Sequence, residues 1–275
     1  MSRILSPEEV WKQYDDAESR LTAQVSERML ELAQLRPAMR VLDLAAGRGE
    51  PSLRAARLVA PSGHVVAIDT SGSLLEMARE KAKHDAISNI EFRVGNAEDT
   101  QLEGQFFDAV TIRWGLQYMA NPVAALMNAR RSLRTSGVLV VAVWAEPERV
   151  PYYTLPRQIL SRDRSIPPID FNAPGTFAYA QPTRIEEDFS KAGFEIALIE
   201  EMNIPVIEAE APDDFIAWVR ALGLTRLLNE IPRSEQISWE QALLVEAQSL
   251  RKGDLYQLGG VTRLIAAVPN VTAAI

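Results

Sequence analysis

Two features of this chain have residue types and spacing suited to chemistry. They are the run Val41-Leu-Asp-Leu-Ala-Ala-Gly-Arg-Gly-Glu-Pro51 and the carboxylate of Asp69, twenty residues beyond Gly49. An apolar strand carrying one acid, Asp43, feeds a glycine-rich turn, and Pro51 stands where the first turn of a helix should open. A second strand, His64-Val-Val-Ala-Ile-Asp69, ends in an acid. In nucleotide-binding α/β folds that position accepts hydrogen bonds from ribose hydroxyls. Together the two segments read as a nucleoside site.

The turn decides which nucleoside. A dinucleotide fold uses G-x-G-x-x-G, with backbone N–H groups at a helix N-terminus facing a pyrophosphate. Counted from Gly47 the third position is Ser52, Pro51 has no N–H to offer, and Glu50 sets a negative charge beside the would-be anion. An NAD-dependent oxidoreductase is therefore the disfavoured rival. A ligand with a ribose and a cationic or zwitterionic tail suits the same turn, and S-adenosylmethionine fits that description. At these residues the chain resembles the class I S-adenosylmethionine-dependent methyltransferases, whose first motif is an acid followed by G-x-G-x-G. Asp43, Ala45, Gly47 and Gly49 occupy those places, with Ala45 departing from the first glycine.

The surrounding pattern supplies the elements that must hold these residues. Residues 7–35 read as an amphipathic helix ended by Pro37. Strands then follow at 40–45, 64–69, 90–95, 107–113 and 138–144, with helices at 51–60, 72–84 and 122–134, the last closed by Ser136-Gly137. Such alternation implies an α/β fold with a mostly parallel, doubly wound, Rossmann-like sheet of seven strands and helices on both faces. Seven of the sixteen prolines fall between Pro147 and Pro182, amid Tyr152, Tyr153, Phe171, Phe177 and Tyr179. That segment cannot continue the sheet and reads as an inserted lid. Helix returns at 182–192 and strand at 194–204; helical stretches open at Pro212 and over 234–251, before a last strand near 261–268. The expected organisation is an N-terminal helical lid (1–36) and a cofactor-binding core (37–145). Lid and cap segments follow over 146–260, interleaved with the last core helix and strand (182–206), and then a final strand and tail (261–275).

Further phrases extend the resemblance over about residues 8–145. Phe107-Asp-Ala-Val110, Arg113-Trp-Gly-Leu116, Asn121-Pro-Val-Ala-Ala125 and Val143-Trp144 look like the bacterial methyltransferases related to the ubiquinone/menaquinone-biosynthesis C-methyltransferases. Ligands of open α/β sheets lie beyond the carboxyl ends of the strands. The resemblance thus implies a cofactor cradle of Ala45, Ala46, Gly47 and Gly49 in the turn and Asp69, Thr70, Ser71 and Leu74 after the second strand. Where the family usually has Asp-Ala, this chain has Asn96-Ala97-Glu98, so the adenine contact falls to an Asn96 carbonyl oxygen or to Glu98. Arg113 and Trp114 complete the set. Arg113 either meets the methionine carboxylate or the substrate, or pairs with Asp108. Tyr14 either folds over the amino-acid end of the cofactor or, with Trp11 at i and i+3, anchors a core.

A sulfonium already carries an activated methyl, so the expected protein contribution is alignment and exclusion of water rather than a triad. Tyr118, Tyr152 and Tyr153 are the candidates near the chemistry, with Gln117 acting through a water as another. His64 and His84 stand at a strand start and a helix end, away from the carboxyl edge. The aromatic lid suggests an apolar or aromatic acceptor, quinone-like or natural-product-like, methylated at oxygen or carbon to leave S-adenosylhomocysteine. The alternative is a protein of this fold that uses the cofactor structurally, as a pericyclic catalyst or binding module.

Composition narrows the classes. The 275 residues are 47% hydrophobic and 24% charged, with a formal net charge of −8, which argues against a broad nucleic-acid footprint. No Asn/Asp-Pro-Pro-Tyr/Phe follows the fourth strand, where nucleic-acid amino-methyltransferases carry it. The chain has no cysteine, no evident metal cluster, no stretch fit to span a bilayer and no signal-peptide layout at its start. The expectation is a cytoplasmic protein with a small-molecule acceptor and no nucleic-acid, membrane or metal partner; a homodimer is left open.

Overall fold

The computed structural model describes residues 7–100, 107–222 and 224–270. The elements run α1 (Pro7–Leu32), β1 (Arg40–Leu44), α2 (Ser52–Val59), β2 (His64–Asp69), α3 (Gly72–His84), β3 (Ile90–Val94), β4 (Phe107–Arg113), α4 (Pro122–Ser132) and β5 (Leu133–Trp144). There follow α5 (Pro151–Ser161), α6 (Pro182–Lys191), β6 (Phe194–Ala209), α7 (Pro212–Ala221), α8 (Thr225–Asn229), α9 (Arg233–Gln248) and β7 (Tyr256–Pro269). The sheet has seven strands in the order β3-β2-β1-β4-β5-β7-β6, as expected of a Rossmann-like α/β fold. β1 pairs in parallel with β2 and β4, β2 with β3, and β4 with β5, whereas β7 runs antiparallel to β5.

The chain divides into two compact units. One is Gln24–Trp144, Asp170–Met202 and Thr262–Ile275; the other is Met1–Ala23, Ala145–Ile169 and Asn203–Val261. In the first, alternate strand residues serve opposite faces, as a doubly covered sheet requires. Leu42, Leu44, Val66, Ile68, Val110 and Ile112 pack with Leu126 and Ala129 of α4 and with Ile185 and Phe189 of α6. Val41 and Val65 face the other way, onto Leu30 and onto Ala55, Ala56 and Val59 of α2.

Several boundaries differ from the sequence expectation for physical reasons. β5 begins at Leu133, so Ser136-Gly137 lies within a strand and does not close the preceding helix. The pairing steps from Phe107↔Leu133 to Ala109↔Val138 through an irregularity. A side chain on Gly137 there would press on Leu133 at 2.7 Å and on the Asp108 carbonyl at 2.9 Å, so the glycine serves the bulge. β6 reaches Ala209 and β7 starts at Tyr256, both longer than the expected 194–204 and 261–268.

In the second unit the first part of the proline-rich stretch folds into helix α5, with Pro151 in the first turn where its missing N–H costs nothing. The Trp239 indole of α9 donates to the Pro156 carbonyl at 2.9 Å, while Arg162–Glu246 and Arg164–Glu235 pair at 2.7 and 2.6 Å. Phe215 stacks with Tyr256, their ring centroids 5.4 Å apart. No helix among the described residues is long and apolar enough to cross a membrane.

Candidate functional site

The glycine turn after β1 is shaped by left-handed backbone: Ala45, Gly47 and Gly49 have φ of 57°, 52° and 96°. Gly49 must be bare, because a Cβ would meet Leu53 at 2.9 Å and Ala78 at 3.1 Å. At Gly47 a Cβ would meet nothing within 4 Å, so the turn opens there onto free space. The Ala46 N–H donates to the Ile68 carbonyl at 3.0 Å, and Gly49 N–H donates to the Ala46 carbonyl at 2.9 Å.

Asp69 ties this turn to the next one. Its Oδ2 accepts from Gly47 N–H and its Oδ1 from Ser71 N–H, each at 2.8 Å. Ser71 in turn caps α3 by accepting from Leu74 N–H at 3.3 Å, and Thr70 is exposed between them. Position 69 is half-buried, with an anionic group whose oxygens each retain further accepting capacity.

Beneath the turn lies Asp43, with no solvent exposure. Its carboxylate accepts from the Ser52 hydroxyl at the start of α2 and from the Thr111 hydroxyl of β4, the latter at 2.7 Å. Burial pushes its pKa up to about 6, against the lowering effect of the Ser52 and Thr111 bonds and of Arg113. The Glu50 carboxylate, expected to repel an anion, is paired with Arg54 at 2.9 Å.

At the end of β4, Arg113 donates through Nε to the Glu50 carbonyl at 3.2 Å and lies 4.7 Å from the Trp114 ring. The alternative pairing of Arg113 with Asp108 is not formed. Asp108 stands at the opposite end of β4, where it takes the Arg134 guanidinium and the Arg40 N–H, the latter at 2.7 Å. Trp114 stacks on Trp144 at 4.8 Å and donates to the Thr262 hydroxyl at 2.9 Å. Tyr118 is exposed, with its hydroxyl 3.1 Å from Thr176. Gln117 beside it is 1% exposed.

After β3, Asn96 forms a tight turn: its Oδ1 accepts from Glu98 N–H at 3.0 Å, and its carbonyl accepts from Thr100 N–H at 2.8 Å. The Glu98 carboxylate caps the entry to α4, accepting from Ala120 and Asn121 N–H at 3.0 and 2.8 Å. Sequence reasoning passed over Asn128. From α4 its amide donates to the Ala97 and Glu98 carbonyls at 2.7 and 2.8 Å, fixing this turn. Its signal was a polar residue on the buried stripe that holds Ala125 and Ala129.

The structure thus gathers Ala45, Ala46, Gly47, Gly49, Asp69, Thr70, Ser71, Leu74, Asn96, Ala97, Glu98, Arg113, Trp114 and Tyr118 into one unit, on the carboxyl ends of β1 to β4 and the turns that follow. Tyr14, Tyr152 and Tyr153 belong to the other unit. There Tyr14 stacks on Trp218 at 4.9 Å and 13°, and burial followed by the Asp214 charge raises its hydroxyl pKa. Tyr152 and Tyr153 meet edge-on at 6.4 Å near the start of α5. The Trp11 side chain lies outside the described residues. No group of three or more His, Cys, Asp or Glu suited to a metal occurs among the described residues.

The family described as "Methyltransferase domain" matches residues 35–165. The ubiquinone/menaquinone biosynthesis C-methyltransferase UbiE of Proteus mirabilis is 33% identical over 139 residues, 50% of each chain. UbiE of Shewanella pealeana is 35% identical over 120 residues, 43% of this chain and 48% of that one. The chain therefore spans about half the length of the curated relatives it matches. A solved protein of Bacillus halodurans shares the fold at TM-score 0.59 and 20% identity, covering 88% of this chain and 97% of that one. The [4+2]-cyclase SpnF does so at TM-score 0.56 and 20% identity, covering 90% and 80%. Residues 35–165 thus match a methyltransferase-domain family, and about half of the chain is similar to the UbiE C-methyltransferases.

Proposed function

We infer that this protein binds S-adenosylmethionine at the Gly47 turn and moves its methyl group to an oxygen or carbon of a small apolar or aromatic acceptor, quinone-like or natural-product-like, in the cytoplasm. The observation that carries this reading is Asp69, held by the N–H groups of Gly47 and Ser71 beside the space that opens at Gly47. Two ribose hydroxyls find acceptor capacity on that carboxylate, and the bare turn leaves room for the tail next to it. The donor set fits the cofactor: an acid for ribose, glycines at close approach, and a polar turn at 96–97 for adenine. Glu98 contributes its position rather than its carboxylate, which is engaged at α4. Arg113 is assigned to the methionine carboxylate.

When bound, the cofactor would supply an activated methyl group: the S–CH3 bonding pair returns to sulfur as an electron pair of the acceptor, the lone pair of an oxygen or the π pair of an enol-like carbon, forms the new bond, and the acceptor's O–H or C–H proton passes to solvent. The residues of this chain bind, orient and keep water out. Tyr14 is assigned to the cofactor, Tyr118, Tyr152 and Tyr153 to the acceptor. Changing Tyr152 or Tyr153 to Ala then raises the acceptor KM with cofactor affinity held; unchanged acceptor kinetics in both variants removes that assignment. UbiE acts, by its name, as a quinone-pathway C-methyltransferase, which favours a quinone-like acceptor here.

Titration calorimetry with S-adenosylmethionine and with NAD tests the reading directly. Uptake of the sulfonium and not of NAD is expected, and the reverse would sink it. Incubation with methyl-labelled cofactor and a panel of quinols and phenols then separates transfer from structural use, because a pericyclic catalyst binds but forms no S-adenosylhomocysteine.

A further inference from the structure

The sheet ends in two edge strands, β3 and β6, and their residues differ in what they admit. β6 carries Glu195, Glu200, Glu201 and Glu208 without a lysine or arginine, and Pro205 within it has no N–H to lend. A second β6 laid against it would bring acids to acids. β3 reads Ile90-Glu-Phe-Arg-Val94, which has the same character from either end about Phe92 except that its two charges are opposite in sign.

The direction of the β3 backbone groups follows from the hydrogen bonds at its ends. Val65 N–H donates to the Asn89 carbonyl at 3.0 Å and Gly95 N–H donates to the Asp69 carbonyl at 2.9 Å, so residues 89, 91, 93 and 95 serve β2. The N–H and C=O groups of Ile90, Phe92 and Val94 therefore face away from the sheet. Of these, the Phe92 carbonyl alone has a hydrogen-bond partner among the described residues, the Arg79 guanidinium of α3 at 3.1 Å. Val94 is 63% exposed, a large apolar side chain at the open edge. Glu91 and Arg93 share one face of the strand, where Arg93 donates to the two carboxylate oxygens at 2.6 and 2.8 Å.

A second β3 laid antiparallel on this edge meets it in registers that the charges tell apart. With the two-fold axis at residue 91, Glu91 opposes its own copy; with the axis at 93, Arg93 does. With the axis at Phe92, Ile90 faces the partner's Val94 and Glu91 faces the partner's Arg93, each twice. The outward groups of Ile90, Phe92 and Val94 then exchange about six hydrogen bonds, and the opposed charges sit about 4.5 Å apart at Cα. We propose that β3 is the pairing edge of a two-fold dimer of this chain, antiparallel with Phe92 on the axis, which joins two seven-stranded sheets into one. Charged side chains on an edge strand ordinarily deter pairing, whereas here their reciprocal order selects one register. Arg79 yields the Phe92 carbonyl to the partner's N–H and keeps its bond to Glu76, at 3.0 Å. The contact uses the same surface on both copies, so it closes at two. It is independent of what the Gly47 turn binds.

Sedimentation equilibrium of the full chain from about 1 to 200 µM tests the pairing, since five residues a side make an interface of the weak class. The mass should rise from one chain to two across that range. Arg93→Glu sets acids against acids in both halves of the contact and should weaken the dimer by roughly tenfold or more. Glu91→Arg combined with Arg93→Glu restores opposite charges in the same register and should return the dimer to within about threefold of the parent. Val94→Pro removes an N–H that serves no ladder bond within the chain, so it should abolish the dimer while the urea midpoint stays close to that of the parent. If that variant does not fold, the charge reversals, made on exposed side chains, decide. A chain that stays single throughout the range, a dimer indifferent to Arg93→Glu, or a double reversal that fails to restore pairing overturns the proposal. Growth beyond two chains overturns it as well, because a closed two-fold contact forbids it.

Discussion

Ala45 and Gly115 occupy each other's space: a Cβ on Gly115 would fall on the Cβ of Ala45. Ala45 holds a left-handed backbone at φ 57°, where a side chain costs about 1 kcal/mol relative to glycine. The departure from glycine in the first motif position is thus accommodated by a glycine at the exit of β4. Trp114, just before it, also has a left-handed backbone, at φ 53°.

This pairing predicts a coupled response. Gly115→Ala should destabilise the protein by about 1–3 kcal/mol through overlap, and Ala45→Gly should stabilise it by up to about 1 kcal/mol. In the double variant the Gly115→Ala penalty should shrink, because the opposing methyl is gone. Urea unfolding of the four proteins measures the coupling, and strict additivity would show that the two positions do not compete.

The parts of this molecule legible from sequence are those where local chemistry and the global fold agree. The strand–turn–strand of 40–69 falls within a residue of its observed bounds, because apolar runs, glycine and proline all mark the same limits. β5 was less legible: Leu133 is the residue where helix α4 ends and pairing with Phe107 begins, and periodicity does not signal a bulge of that kind. Helix α5 was hidden because its prolines read as breakers, although Pro151 sits where a helix tolerates one. Contacts between distant segments were not readable at all. Asp108 meets Arg134 rather than Arg113, and Tyr14 meets Trp218, because such partners are chosen by the sheet order and the packing of helices, not by spacing along the chain.

Asp69→Ala removes the acceptor for two backbone N–H groups and, on the proposed function, the acceptor for the ribose. Hydrogen bonds to a charged group contribute about 1.5–3 kcal/mol each, so S-adenosylmethionine affinity should fall by about a hundredfold or more. Asp69→Asn keeps one carbonyl oxygen and should lose less. Calorimetry at pH 8 distinguishes them, and an Ala variant that binds like the parent would remove Asp69 from the site.

Gln117 carries the opposite prediction. Both of its amide atoms are buried without a hydrogen-bond partner. An unsatisfied polar group costs about 1–3 kcal/mol, whereas an apolar side chain of similar shape carries no such penalty. Gln117→Met should therefore raise the stability of the protein by about 1–2 kcal/mol, seen as a higher urea midpoint with unchanged slope. A lower midpoint would mean that the amide makes bonds that hold the turn after β4.

Asp43 predicts the pH dependence of folding. Its carboxyl is raised from an ordinary value of 3.8 to about 6 in the folded chain. Between those values the folded state keeps a proton that the unfolded state has lost, so protein stability falls as pH rises through this window. The contribution is full below about pH 4 and lost above about pH 6; two pKa units correspond to about 3 kcal/mol. Other carboxylates act in the opposite direction, so the informative quantity is the difference between Asp43→Asn and the parent protein, measured by urea unfolding from pH 4 to pH 8. The amide cannot ionise, so the variant should gain on the parent by up to about 3 kcal/mol as the pH is raised. Parallel curves would place the Asp43 carboxyl near its ordinary value and remove the basis for a proton held under the turn.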